Sequence, residues 1–541
     1  MSGERRREYP SAYDYLQECL LLEEVFAQAP IVKLELVSRS PFSDQPVGAR
    51  DVAIATAYQC NSAGTPELKK RDDEKAQKVA SSTLQAGHHT TRQHVHFTWR
   101  FIGVSRSVTH DVFHSYPFYN SEQQSQRYVE AQRGNYLAPA NLSERQKLVF
   151  HEAADFANHA YFHLLEELAP EVEKRVKDMY PTSGWRVPET AERLGAKGRK
   201  ICQEIARYVL PIGQKTVYFH TLSELQLLRL FRASTLPRFS SEARYVIARM
   251  VKSVADYDAG ILKEIDVPWP QAAVLSGTDN IMQRKKEFDE FLGDKSSLLI
   301  GYPPNAGEIL TFAVRNTWGL PESCLSVSEA LDSVANPAKN SLLADVYDVG
   351  MLDNLTVTLR QVSLTYLTKL SHTADSQRQR HRKTFGSTPS IEEIYDGSPD
   401  FLVPLVIREN PHLFRTYREI MERIYQNVER ALGEGVPREW ALLLLPNAQT
   451  VRVVESGDLF DWHHRWRQRL CFLAQEEIFF ISVDQIEELR RVLPQAEKML
   501  LAPCGLRKAA KVKPRCPEGD RWCGQAVYNW EIQRYKESRL I

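Results

Sequence analysis

Ser376-Gln377-Arg378-Gln379-Arg380-His381-Arg382-Lys383 is the stretch around which the rest of the chain can be ordered. Alone it reads as a basic run on a solvated helix face or loop. A second polar stretch with an arginine, Ser125-Gln126-Arg127-Tyr128, lies about 250 residues upstream. The fold and the function both turn on whether those two stretches belong together.

The chain has 541 residues, too many for one ordinary core, so two large domains are expected. Hydrophobic residues make up 43% and charged residues 26%, as in a globular protein. The 69 basic residues balance the 69 acidic ones, which argues against a general nucleic-acid binder. No apolar run approaches the roughly 20 residues of a membrane span. Met1-Ser2-Gly3-Glu4-Arg5-Arg6-Arg7-Glu8 has no apolar core after its basic residues, so no secretory signal is expected and the cytoplasm is the default. Eight cysteines spread over this length are not a disulfide framework.

Leu16, Leu20, Leu21 and Val25 recur at helical spacing over 11–28, and Ile31 to Val37 alternates as a strand. Gly48 to Tyr58 predicts a buried helix, Cys60 to Thr65 a loop, and Pro66 to Thr83 a further helix. Val95 to Phe101 reads as a strand and 144–176 as a long helix. The histidines at 88, 89, 94 and 96 invite a metal reading. With no Cys, Asp or Glu at ligand spacing beside them, hydrogen-bonded or surface histidines are the expectation.

Composition shifts near Asp266-Val267-Pro268-Trp269-Pro270, and 266–280 is expected to be a linker. Past it, the order of the first half repeats. A strand or helix over Leu359–Leu370 precedes the basic triplet, and a helix from Leu413 to Leu432 follows it. Ala441-Leu442-Leu443-Leu444-Leu445-Pro446 then echoes Ala206-Arg207-Tyr208-Val209-Leu210-Pro211. Domains are expected at 1–265 and 266–500, with a Cys-containing tail over 501–541.

These motifs resemble the flavin-dependent thymidylate synthases, which carry Arg-His-Arg followed in the same loop by Ser-x-Arg, and further on Ala-Arg-x-x-Leu-Pro. The resemblance covers nearly the whole chain as a tandem duplication. It implies an α+β fold of two copies, each a twisted sheet with long helices. The copies are degenerate in opposite ways. The first keeps Ser125, Arg127 and Arg207 but has Ser115-Tyr116-Pro117 where the triplet belongs. The second keeps Arg380, His381 and Arg382 but has Glu392 and Leu442 in place of the nucleotide arginines.

By the resemblance, Ser125, Gln126, Arg127 and Arg207 bind the nucleotide, since guanidinium forks and a hydroxyl suit a phosphate. Arg380, His381, Arg382 and His94 would hold the flavin, and Arg469 or Arg232 would polarise the uracil ring. An ordinary salt bridge on an amphipathic helix is the alternative for either of these two. The implied reaction is reductive methylation of dUMP to dTMP with FAD, NADPH and methylenetetrahydrofolate, at composite sites between copies. Family members form homotetramers, so a homodimer of this chain is expected, without nucleic-acid or membrane partners. Flavin-dependent C5-methylation of another pyrimidine nucleotide, or a non-catalytic nucleotide- or flavin-binding descendant, stays open. In the tail, Cys504, Cys516 and Cys523 sit beside Gly and Pro, as in metal knuckles. Without a Cys-x-x-Cys pair or an evident fourth ligand, buried thiols are the other reading and no metal is assigned.

Overall fold

The computed structural model describes residues 11–26, 33–39, 47–59, 67–71, 73–113, 120–180, 191–265 and 280–541. Two four-stranded antiparallel sheets carry the same topology. The first joins β1 (Lys33–Arg39), β2 (His96–Ser105), β3 (Asn120–Gln123) and β4 (Lys215–Ser223) in the order β1-β2-β4-β3. The second joins β5 (Ser297–Gly301), β6 (Ser363–Ser371), β7 (Phe385–Ser387) and β8 (Thr450–Asp458) in the order β5-β6-β8-β7. Helices cover these sheets, and the chain is a tandem duplication of one α+β unit.

Local sequence explains the elements. In β2, Phe97, Trp99 and Phe101 face the core at alternate positions, and Trp99 Nε1 donates to Ser253 Oγ at 2.9 Å. The long helix Glu144–Met179 begins at a capping box made by Ser143 and Gln146. Its partner in the second copy, Pro411–Gly433, starts at Asn410 with Pro411 in the first turn. The helix expected from Pro66 starts only at Glu74. Asp73 caps it by accepting from the Ala76 amide, and residues 67–71 are irregular. The expected helix over 11–28 is two segments, Ala12–Leu21 and Glu23–Phe26, and Leu359–Leu370 resolves into a 3-10 turn followed by β6. The loop at 60–65, Ser115-Tyr116-Pro117 and most of the 266–280 linker lie outside the described residues.

The two Leu-Pro segments meet about a local two-fold axis. The Ile212 amide donates to the Leu445 carbonyl and the Asn447 amide to the Leu210 carbonyl, both at 2.8 Å. Gly213 to Leu443 and Ala448 to Tyr208 form a second matched pair, again both at 2.8 Å. One step in residue number relates Pro211 to Pro446, Ile212 to Asn447 and Leu210 to Leu445, so each contact is the image of the other. This is the pattern of an isologous dimer interface, here within one chain. The copies also share core: Val428, Ala431, Trp440 and Leu442 of the second pack with Phe26, Phe150 and Tyr245 of the first.

The same step carries Ser223 to Asp458 and Glu242 to Glu477 without a gap. A matching carboxylate contact ties each central strand to the helix behind it. The amide and hydroxyl of Ser105 donate to Glu242, and those of Ser371 to Glu477. Arg106 and His372 therefore open equivalent helices, Arg106–Phe113 and His372–Arg378.

Candidate functional site

At the ends of β2 and β6, beside the two-fold axis, residues of both copies converge. From the second copy come Gln377, Arg380, His381 and Arg469. Arg469 lies at the end of the helix Leu459–Arg469, where its Nε donates to His381 Nε2 at 2.8 Å and its Nη2 to the Gln377 carbonyl at 2.9 Å. Because His381 Nε2 accepts, the neutral ring carries its proton on Nδ1, and that buried nitrogen has no partner. Burial, then the charges of Arg469 and Arg465, hold the His381 pKa well below its ordinary value, so the ring is neutral. The site thus holds a fixed, unsatisfied N–H donor.

From the first copy come Arg106, Gln126, Arg127 and Arg207. Arg207 sits in a buried 3-10 turn, and its Nη2 has no hydrogen-bond partner. Its carbonyl accepts from Asn447 Nδ2 at 3.0 Å, and the same nitrogen donates to Gln126 Oε1 at 3.3 Å. Gln126 Nε2 is a further buried orphan. Arg127 is already engaged: it pairs with Glu204 and donates through Nη2 to the Leu473 carbonyl of the second copy at 2.6 Å. Ser125 Oγ accepts from the Arg127 amide at 3.2 Å, fixing the turn that presents these side chains.

The electrostatics are those of an anion site. Burial, then Arg207 and Arg380, push the Arg106 pKa down to about 9. Burial, then Arg465, Arg380 and Arg127, do the same to Arg469, also to about 9. Burial lowers Arg207 as well. Clustered guanidiniums taken out of water are held at a cost that a bound anion removes. A cavity of about 630 Å³ adjoins the cluster, lined among others by Arg127, Tyr128, Tyr208, Arg469 and Phe472. That is within the range of small-molecule and cofactor pockets.

Sequence reasoning missed Arg106, because one arginine opening a helix after a strand carries no local signal. The other candidates lie at the rim of the site or away from it. Arg380 is exposed at the rim, and Arg382 reaches β3 of the first copy, donating to Asn120 Oδ1 at 3.2 Å and the Ser121 carbonyl at 3.3 Å. His94 is exposed just before β2, whose ten residues separate it by about 30 Å from Arg106 at the other end. Arg232 is the counterpart of Arg467, not of Arg469. The unbroken register puts Ser234 opposite Arg469, and the Ser234 hydroxyl is hydrogen-bonded to Tyr15 at 2.9 Å. That corrects the alignment in which Arg232 stood two residues out of step.

The image of this site about the two-fold axis lacks its cations. His372 stands for Arg106, Leu442 for Arg207 and Ser234 for Arg469, while Tyr15 packs against Phe231 beside Ser234. Among the described residues there is therefore one arginine cradle, built from both copies. Among the described residues, no group of three or more His, Cys, Asp or Glu could hold a single metal ion. Nor is any described helix long and apolar enough to cross a membrane.

The family described as Thymidylate synthase complementing protein matches residues 43–257 and 298–495, two regions that correspond to the two copies. The flavin-dependent thymidylate synthase of Clostridium tetani is 28% identical over 237 residues, which are 43% of this chain and 86% of that protein. The enzyme of the same name from Nitratidesulfovibrio vulgaris is 25% identical over 240 residues, 43% of this chain and 83% of that protein. Nearly a whole relative thus spans under half of this chain. Among solved structures, the UMP/dUMP methylase PolB from Streptomyces cacaoi, bound with 5-Br dUMP, is 18% identical with a TM-score of 0.29. It covers 44% of this chain and 98% of that one.

Proposed function

The chain belongs to the thymidylate synthase complementing protein family, matched over more than half its length, and on that premise we propose that it is a flavin-dependent methyltransferase that converts dUMP to dTMP at one composite site per chain. The observation that carries this reading is the cradle of Arg106, Arg207 and Arg469. It combines buried cations, an orphaned guanidinium nitrogen and a neutral histidine donor across two copies, neither of which has the full set.

In this reading Arg207, with Arg106 beside it, takes the nucleotide phosphate through charge-assisted hydrogen bonds. Gln126 offers its free amide to the same ligand, while Arg127 and Ser125 hold the loop in place. Arg469, pinned in orientation by Gln377 and His381, directs its positive charge at the uracil carbonyl, where negative charge develops as C5 becomes nucleophilic. The residues present fit a flavin: His381 Nδ1–H, a buried donor without a partner, and Arg380 would donate to its acceptor atoms, and Tyr128, Tyr208 and Phe472 line the adjoining cavity. FAD, when bound, supplies the hydride that reduces the transferred carbon, with methylenetetrahydrofolate as carbon donor and NADPH as reductant.

Purified protein should oxidise NADPH only when dUMP and methylenetetrahydrofolate are both present, with dTMP as product. Preference for UMP over dUMP in that assay would move the substrate to another pyrimidine nucleotide. Arg380→Ala should strip flavin during gel filtration while leaving the fold intact by circular dichroism. Arg207→Ala should weaken dUMP binding by about 1.5–3 kcal/mol, or roughly 10–100-fold, read by calorimetry, with flavin retained.

A further inference from the structure

Four cysteines from separate segments meet where the tail reaches the loop that follows Arg469. Cys471 lies in that loop, Cys504 in the first turn of the helix Pro503–Ala509, Cys516 in the irregular tail, and Cys523 just past the turn Gly519–Arg521. All four are free thiols and all four line one small cavity, together with Phe472, Trp522 and other largely apolar neighbours. The remaining described cysteines, Cys19, Cys202 and Cys324, are not part of it. Half of the eight cysteines in the chain thus share one pocket. Ordinary core packing has no need to collect them, and no disulfide links any two of them.

Their environment is largely apolar, with the Arg539 guanidinium acting on Cys523 and Cys471. Burial pushes Cys471 and Cys504 up to about 12 and Cys523 up to about 11, and neighbouring thiols add to the rise in each case. A bound cationic centre reverses that balance, because coordination deprotonates a thiol outright.

The geometry points to an iron–sulfur centre: Cys471, Cys504, Cys516 and Cys523 as the four ligands of a [4Fe–4S] cluster. Spacing and arrangement separate this from zinc. Structural zinc is commonly gripped by cysteine pairs two to four residues apart, and the run here is Cys-x32-Cys-x11-Cys-x6-Cys, without such a pair. No three of the four form a site for a single ion. A cubane instead gives each cysteine its own iron, so one thiolate from each of four segments suffices.

The position gives the cluster a structural role. Trp522, next to Cys523, accepts through its carbonyl from Tyr180 at 2.9 Å, and Gln525 donates to the Met179 carbonyl at 2.6 Å, both at the end of the first copy's long helix. Leu473, two residues past Cys471, takes the Arg127 hydrogen bond. A cluster here would lock the tail, the first-copy helix and the Arg469 loop together.

The test is the composition of the full chain purified under anaerobic conditions. About four iron and four acid-labile sulfide per chain are expected, with an electron paramagnetic resonance signal after dithionite reduction. Sulfide is a readout that flavin does not give. Cys516→Ser and Cys504→Ala should each lose most of the iron and sulfide, whereas Cys324→Ser, exposed elsewhere, should keep both. Zinc at about one per chain without sulfide would overturn the assignment, as would no metal with all four thiols reactive in the folded protein. Full retention of the cluster in either ligand variant would also overturn it.

Discussion

Arg469→Ala is expected to lower dTMP formation by about 10²–10³-fold in kcat, the usual loss when one preorganised donor to a developing negative charge is removed. Three hydrogen bonds fix the guanidinium: Nε to His381 Nε2, Nη2 to the Gln377 carbonyl, and Nη1 to Gln377 Oε1 at 3.4 Å. The Gln377 amide bonds in turn to Gln475, which bonds to Tyr208 of the first copy. Both copies thus determine where the charge points. Arg469→Lys should rescue little, because an ammonium cannot reproduce the planar fork. The phosphate is assigned to Arg207 and Arg106, so dUMP affinity should change far less than kcat. A kcat within about tenfold of the parent would remove Arg469 from the chemistry. Arg232→Ala serves as the control, since the register places Arg232 with Arg467, and its activity should stay near that of the parent.

How much of this was legible in the sequence depends on the range of the interaction. The duplication could be read, because each copy repeats a local motif, and the triplet and Arg207 were found the same way. The long helices and β2 follow from periodicity. The register of Arg232 could not be read, because its two-residue offset is settled only by the unbroken run from Pro211 to Glu242 in three dimensions. Arg106 was invisible for a related reason: its importance comes from Arg207 and Arg380, which lie roughly 100 and 270 residues away in the chain. Cys471 is the same case. In sequence it belongs to the Arg469 motif, and only folding brings it to the three tail cysteines. Long-range pairing of single side chains leaves no periodic trace, whereas the burial that shapes helices and strands does.

Glu455→Ala is expected to destabilise the second copy by about 3–5 kcal/mol, the cost of leaving buried charge unpaired. Glu455, in the middle of β8, is completely buried and takes Arg465 Nη1 on both oxygens at 2.8 Å and Arg378 Nη1 at 3.0 Å. Arg465 has no hydrogen-bond partner on Nε or Nη2, so Glu455 carries the balance of its charge. Arg378 also pairs with Asp375 at 2.6 Å. Burial acts to raise the Glu455 pKa, but the two arginines outweigh it and hold the carboxyl below its ordinary range. Its contribution is therefore present above the unfolded value near about 4.3 and is lost as pH falls through the lower folded value. Urea unfolding at pH 7 should show the difference and unfolding at low pH should erase much of it. The first copy shows that the network can be replaced as a unit. In register, His220 stands for Glu455, Leu230 for Arg465, Val112 for Arg378 and Thr109 for Asp375. Replacing all four second-copy residues by their first-copy counterparts should recover most of the loss, since a buried ion cluster exchanged whole for packed neutral groups is often close to neutral. If the single variant unfolds at the parent's urea midpoint, the four charges are not acting as one buried unit.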